Sequence, residues 1–380
     1  MPLIEANGLD IEYESFGPEG RETILLIMGL GAQLTQWPIE LCDELVTRGY
    51  RVVRFDNRDV GLSSRIERDR AFAFSDAFFS LASGKPAFVP YSLDDMAADA
   101  VGLLDALGVE KAHIVGASMG GMIAQLVAAE YPERTLSLTS IMSSSGNPLL
   151  PHPRPRVLSL MMSPAPHARD TEAVIARGVK TYETIGSPGF PTDEETLREW
   201  VTRDATRAYY PAGVMRQMAA VLTNGDRRPK LRRIVAPTVV LHGADDPLVP
   251  CAAGEDTAAN IEGAELRLVE GMGHDMPLAL VDTIADAIVA AAQRATGVKR
   301  GEDEKLLPLQ AFAALSVAGA EQKTSEVHGR ADTEASVPIA DTDLVPGGLA
   351  LPGAVADLPR LSVFARVKLW FARMVARLRG

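Results

Sequence analysis

Cysteine is scarce in this chain: Cys42 and Cys251 are the only two, and neither sits in a C-x-x-C or metal-type spacing. That argues against a disulfide framework or a thiolate metal centre and leaves both as core or helix-face thiols. Basic charge is also in deficit, with 38 Lys and Arg against 50 Asp and Glu and a formal net charge of -12. A phosphate-binding surface needs the opposite balance, so no nucleic-acid partner is expected. No uncharged run reaches the roughly 18 residues that a membrane-spanning helix requires. The first residues, Met1-Pro2-Leu3-Ile4-Glu5-Ala6-Asn7-Gly8, lack the basic and then apolar segments of a secretion signal. The expected location is cytoplasmic.

What is present is an ample apolar fraction, 47% of 380 residues, enough for one large α/β domain carrying an insertion. The chain is organised around Ala112-His113-Ile114-Val115-Gly116-Ala117-Ser118-Met119-Gly120-Gly121. Beta-branched Ile114 and Val115 suit a buried strand, and the Ala, Leu and Met residues that follow from Met122 suit a helix. Gly116-Ala117-Ser118-Met119-Gly120 therefore fits the G-x-S-x-G nucleophile elbow, a tight strand-to-helix turn that lifts a serine hydroxyl clear of a sheet. A bare G-x-S-x-G is common by chance; the strand before it and the helix after it give it meaning. The flanking glycines are needed because a Cβ at either would collide with the neighbouring strand or helix.

Around this turn the chain alternates between strands and helices. Residues 3–6 and 9–14 alternate apolar and polar on either side of Asn7-Gly8, a two-residue hairpin signal. The solid apolar run over 23–28 reads as a strand buried on both faces. A helix over 38–47, a strand over 50–55 and a turn-rich loop, Asp56-Asn57-Arg58-Asp59-Val60-Gly61-Leu62-Ser63, come next. Its charges are expected to pair within the loop rather than to react. Residues 65–90 hold Phe72, Phe74, Phe78, Phe79 and Phe88 and read either as an excursion near the pocket mouth or as core packing. Ser92-Leu93-Asp94-Asp95 opens a helix with a capping-box pattern, and Gly108 closes it.

After a strand over 136–142 the alternation lapses for about ninety residues, through a proline-rich stretch over 148–166 and helical patches near 170–185, 193–208 and 212–222. These form a helical cap inserted after the sixth strand. Strand, helix, strand and helix resume over 237–294, which implies a mainly parallel sheet covered on both faces. Ligands bind beyond the carboxyl ends of such strands, where Ser118 lies. The expected division is a core over 1–144 and 231–296, a cap over 145–230, a flexible linker over 297–359 and an amphipathic basic helix over 360–380. In that last helix Leu361, Phe364, Val367, Phe371 and Met374 recur opposite Arg366, Arg373 and Arg377. Two dockings are open for it: the protein's own acidic body or another subunit, and an anionic membrane surface, which would make the protein membrane-peripheral.

A serine hydroxyl needs a base, and the base an orienting acid. Of six histidines, His113 lies in the elbow strand, His152 and His167 in the proline-rich cap, His328 in the linker, and His242 at a strand end. His274 stands in Gly271-Met272-Gly273-His274-Asp275-Met276-Pro277, a glycine-rich loop between the last strand and the last helix, and is expected to be the base. The acid should come from Gly243-Ala244-Asp245-Asp246-Pro247; Asp246 is preferred and Asp245 is the alternative, since adjacent residues cannot both point inward. Two backbone donors should face the oxyanion: the N–H of Met119 at the helix start and that of Leu30, between Gly29 and Gly31.

Gly116-Ala117-Ser118-Met119-Gly120-Gly121, Gly243-x-x-Asp246-x-x-x-Pro250 and Gly273-His274 together resemble the α/β-hydrolase superfamily over about residues 1–295. Met28-Gly29-Leu30-Gly31 with the loop over 56–63 is most similar to the esterase branch that includes aclacinomycin methylesterase. The resemblance implies a carboxylic ester hydrolase that takes a small-molecule ester, works through an acyl-enzyme and uses neither metal nor cofactor. Many relatives carry His-Gly where this chain has Met28-Gly29; that histidine supports the oxyanion loop rather than reacting. A halide-displacing enzyme would need a carboxylate at Ser118. A perhydrolase or a carbon–carbon bond hydrolase would share the triad, and a non-catalytic receptor for a small ligand is the remaining alternative.

Overall fold

The computed structural model describes residues 2–66, 89–161 and 163–296. The phenylalanine-rich stretch, the linker and the basic terminal helix lie outside these described residues. Eight strands form one sheet in the order β1-β2-β4-β3-β5-β6-β7-β8. They are β1 (Leu3–Ala6), β2 (Leu9–Phe16), β3 (Thr23–Ile27), β4 (Arg51–Phe55), β5 (Ala112–Ala117), β6 (Thr135–Ile141), β7 (Thr238–Gly243) and β8 (Glu265–Val269). The hairpin β1-β2 and the pair β2-β4 are antiparallel; every pairing from β4 to β8 is parallel. Asn7 and Gly8 both have positive φ, the geometry of a primed hairpin turn.

The central strands are apolar on both faces because each face meets helices. On one side Leu25, Ile27, Val53, Phe55 and Ile114 pack with α2 (Leu93–Ala106) and α3 (Met119–Glu130). On the other, Ile24, Leu26, Val52, Val115, Val239 and Leu241 pack with α1 (Ile39–Thr47) and α10 (Val281–Thr296). Consecutive residues of one strand thus serve opposite cores, the period-two rule made visible. Helix α2 begins with a complete capping box: Ser92 Oγ accepts from Asp95 N–H, and the Asp95 carboxylate accepts from Ser92 N–H.

Between β6 and β7 lie α4 (Pro155–Met161), α5 (Thr171–Ile185), α6 (Glu194–Arg207), α7 (Pro211–Asn224) and the single turn α8 (Arg228–Leu231), while α9 (Ala252–Ala259) follows β7. Helix α4 falls inside the proline-rich stretch over 148–166; Pro155 sits at its first position, where the ring's fixed φ suits a helix and no N–H is lost. Among the described residues no helix is long and apolar enough to cross a membrane.

Candidate active site

Ser118 stands between β5 and α3 with φ 56° and ψ -119°, outside the regions that L-residues favour. The glycines explain why the chain can turn there. A Cβ on Gly116 would lie 2.0 Å from the Gly120 carbonyl oxygen, and one on Gly120 would lie 2.0 Å from that of Ile27 on β3. Helix and strand backbones therefore come closer than any other residue permits. The turn is fastened by Ser118 N–H donating to Ile141 O at 2.9 Å and by its own carbonyl accepting from Gly121 N–H at 3.0 Å and Ser143 Oγ at 2.7 Å.

Three elements distant in sequence converge on that hydroxyl. His274 Nε2 lies 2.9 Å from Ser118 Oγ, and His274 Nδ1 lies 2.6 Å from Asp246 Oδ2. Asp246 and His274 are both buried. The other oxygen of Asp246, Oδ1, accepts from the N–H groups of Leu248 and Val249, each at 2.8 Å. Burial alone would push this carboxyl up, but the imidazole of His274, contacts from His242 and His274 and the Val249 N–H outweigh it and hold Asp246 at about 2. An ionised Asp246 accepts a hydrogen bond from the Nδ1–H of His274, a tautomer that leaves Nε2 as an acceptor for the serine proton. Asp245 has different work: its N–H donates to Met272 O at 3.1 Å and its Oδ2 accepts from Gly271 N–H at 3.0 Å, fastening the histidine loop to the end of β7.

The cap grips that loop from above. His274 N–H donates to Ile185 O at 2.7 Å, Gly273 N–H to Ser187 Oγ at 2.9 Å, and Gly189 N–H to Gly271 O at 2.9 Å. A Cβ on Gly273 would lie 2.4 Å from the Gly186 carbonyl oxygen, so the glycines around His274 let two backbones touch. Ser187 Oγ also donates to the buried carboxylate of Asp275.

Opposite His274, the loop after β3 approaches Ser118: a Cβ on Gly29 would lie 3.2 Å from Ser118 Cβ and 3.7 Å from its Oγ. Among the described residues neither Leu30 N–H nor Met119 N–H donates to a protein acceptor. Both expected oxyanion donors are thus unclaimed by the carbonyls of the described residues.

The charges of the loop over 56–63 pair mostly outside it, contrary to expectation. Asp56 and Asp59 are fully buried and receive Arg207 of α6 and Arg216 of α7, each at 2.7 Å, while Arg58 forms a two-pronged pair with Asp99 on α2. Within the loop Asp56 takes only the Leu62 N–H, at 2.9 Å, and the Ser63 hydroxyl on its carbonyl. The Arg207 and Arg216 pairs join cap to core; no local pattern foretells partners more than 150 residues away. His242, at the end of β7, is buried beside Asp246: its Nε2 lies 2.8 Å from Val249 O and 3.5 Å from Asp246 Oδ2. His113 is buried against Ser137 and Tyr50, far along its strand from the elbow. Among the described residues no group of three or more His, Cys, Asp or Glu side chains is disposed to hold a metal ion.

The family pattern described as the alpha/beta hydrolase fold matches residues 22–278. Rhodomycin D methylesterase of Streptomyces peucetius is 31% identical over 312 residues, covering 77% of this chain and 98% of the relative. Among solved structures, an enol-lactonase from Burkholderia xenovorans aligns with TM-score 0.59 at 21% identity, covering 76% of this chain and 99% of its own. A meta-cleavage product hydrolase from Pseudomonas fluorescens aligns with the same TM-score of 0.59 at 19% identity, over 78% and 98%. Those two structural likenesses speak for the fold alone.

Proposed function

Because this chain belongs to the alpha/beta hydrolase fold family and is a carboxylic ester hydrolase, we propose that it cleaves esters through an acyl-enzyme on Ser118. In this reading Ser118 Oγ attacks the ester carbonyl as His274 Nε2 takes its proton. The N–H groups of Leu30 and Met119 receive the charge that develops on the carbonyl oxygen. His274 then gives the proton to the leaving alcohol, and a water activated by the same imidazole releases the acid. Asp246 holds the imidazole in the tautomer that keeps Nε2 free. The observation that carries the reading is the 2.9 Å approach of His274 Nε2 to a serine held in a strained backbone by glycine contacts.

For the substrate we favour a methyl ester, the class named in the 31% identical methylesterase. Hydrolysis of p-nitrophenyl esters of increasing acyl length and of methyl esters of polycyclic acids tests both parts. Wild type should show a burst of p-nitrophenol equal to the enzyme present and an acyl adduct on the peptide containing Ser118; Ser118→Ala should lose about 10³-fold or more in kcat. Full turnover by Ser118→Ala would end the nucleophile reading. Preference for long-chain p-nitrophenyl esters over the methyl esters would end the substrate reading and leave the nucleophile intact.

A further inference from the structure

We propose that Gln217, on cap helix α7, is a positioning residue that aims the Leu30 N–H at the oxyanion, so that seating of the cap completes the site. The inference rests on the reading above, in which Leu30 is an oxyanion donor.

Its grounds lie in the three peptide groups that follow β3. The donor belongs to the Gly29–Leu30 peptide. The peptide before it is held through its carbonyl: Met28 O accepts from Asn57 Nδ2 at 2.9 Å. The peptide after it is held through its N–H: Gly31 N–H donates to Gln217 Oε1 at 2.8 Å. The Gly29–Leu30 peptide itself is held by its oxygen, since Gly29 O accepts from Ala32 N–H at 3.3 Å, and its N–H is left for a ligand. Rotation of this peptide would have to break one of those anchors.

Gln217 is suited to the task because it is fixed at both ends of its amide. It is fully buried, and its Nε2 donates to Arg58 O at 2.8 Å while Oε1 faces Gly31. This orientation follows from the partners: a carbonyl requires the NH2 and an N–H requires the oxygen. Gly31 has φ +67°, and a Cβ there would lie 3.0 Å and 3.2 Å from the two Val214 γ-carbons one turn earlier on α7. Helix and loop are therefore in direct contact, and the side-chain amide is the hydrogen-bonded link between them. Two of the three groups that fix the donor peptide come from the core; the third comes from the cap, 186 residues along the chain.

Gln217→Met removes both hydrogen bonds and keeps the volume, whereas Gln217→Glu keeps an acceptor for Gly31 N–H. With p-nitrophenyl butyrate, Gln217→Met should lower kcat by about 10- to 100-fold with KM within about twofold, the signature of a misplaced transition-state contact. Affinity for a trifluoromethyl ketone, whose adduct with the serine carries the oxyanion, should fall by the same factor, and Gln217→Glu should recover most of both. Should Gln217→Met not fold, Gln217→Asn, too short to reach both partners, is measured in its place. Unchanged kcat and ketone affinity, or a loss confined to KM, would overturn the positioning role. Ser118→Ala run alongside separates the two claims: its inactivity with a normal Gln217→Met overturns only the role of Gln217, while its full activity overturns the underlying reading and this inference with it.

Discussion

Replacing Asp246 by asparagine keeps the shape of the side chain and reverses one hydrogen bond. Oδ1 of Asp246 receives two N–H groups, from Leu248 and Val249 at 2.8 Å each, so the amide of an asparagine must put its oxygen there. Its NH2 then falls where Oδ2 now stands, 2.6 Å from His274 Nδ1, and donates where the carboxylate accepted. The imidazole must move its proton to Nε2, which can no longer take one from Ser118. Two effects of different size are thereby separable. The carboxyl is lowered from 3.8 to about 2, which corresponds to about 2 kcal/mol in favour of the charged form. Were all of that amount lost from the transition state, the reaction would slow roughly 30-fold. The wrong tautomer costs far more, about 10⁴-fold in kcat where a buried aspartate orients a base. Steady-state hydrolysis of p-nitrophenyl butyrate at pH 8, with melting curves to verify folding, reads the difference. A folded Asp246→Asn enzyme that loses only about 30-fold or less would refute the tautomer argument. Asp245→Asn, which disturbs only the tether to Gly271, should lose less than about tenfold.

Further outcomes follow from the same contacts. The Asp246 carboxyl is depressed in the folded protein, so its stabilising contribution is complete above about pH 4 and fades as pH falls toward about 2; Asp246→Asn should flatten denaturant stability over that window. Gly120→Ala puts a methyl 2.0 Å from a β3 carbonyl oxygen and should cost about 3 kcal/mol or more, read as a fall in Tm or a failure to fold. Arg207→Met strips the buried Asp56 of its cation and should cost about 3 to 5 kcal/mol in urea unfolding, with Asp56→Asn added to it restoring part of the loss. Burial pushes the Cys42 thiol up to about 12, so a disulfide reagent should titrate Cys251 alone until the protein unfolds.

The parts of this molecule that were legible in its sequence are those fixed by near neighbours. The hairpin at Asn7-Gly8, the capping box at Ser92 and the glycines beside Ser118 each answer a steric or hydrogen-bonding demand within a few residues. The position of the central strand β3 was readable because a parallel strand buried on both faces is a solid apolar run. Illegible were the contacts that tie cap to core. Gln217, Arg207 and Arg216 stand in helices whose pattern says only that one face is buried; which core group each meets depends on how the whole insertion closes. The aspartate pair shows the limit in miniature. Parity argued that only one of Asp245 and Asp246 could point inward, yet the neighbour is also employed, on the loop that carries His274.

The cap has a consequence for how this protein ages under heat. Its own apolar centre consists of Ile175, Val179 and Val201, a small nucleus beside the two large clusters that flank the sheet. Yet it is the cap that secures His274 through Ile185 and Ser187. Warming should detach this thin layer first. Turnover would then vanish while ellipticity from the strands and their helices persists, so an assay and a spectrometer would report two different lifetimes for one molecule.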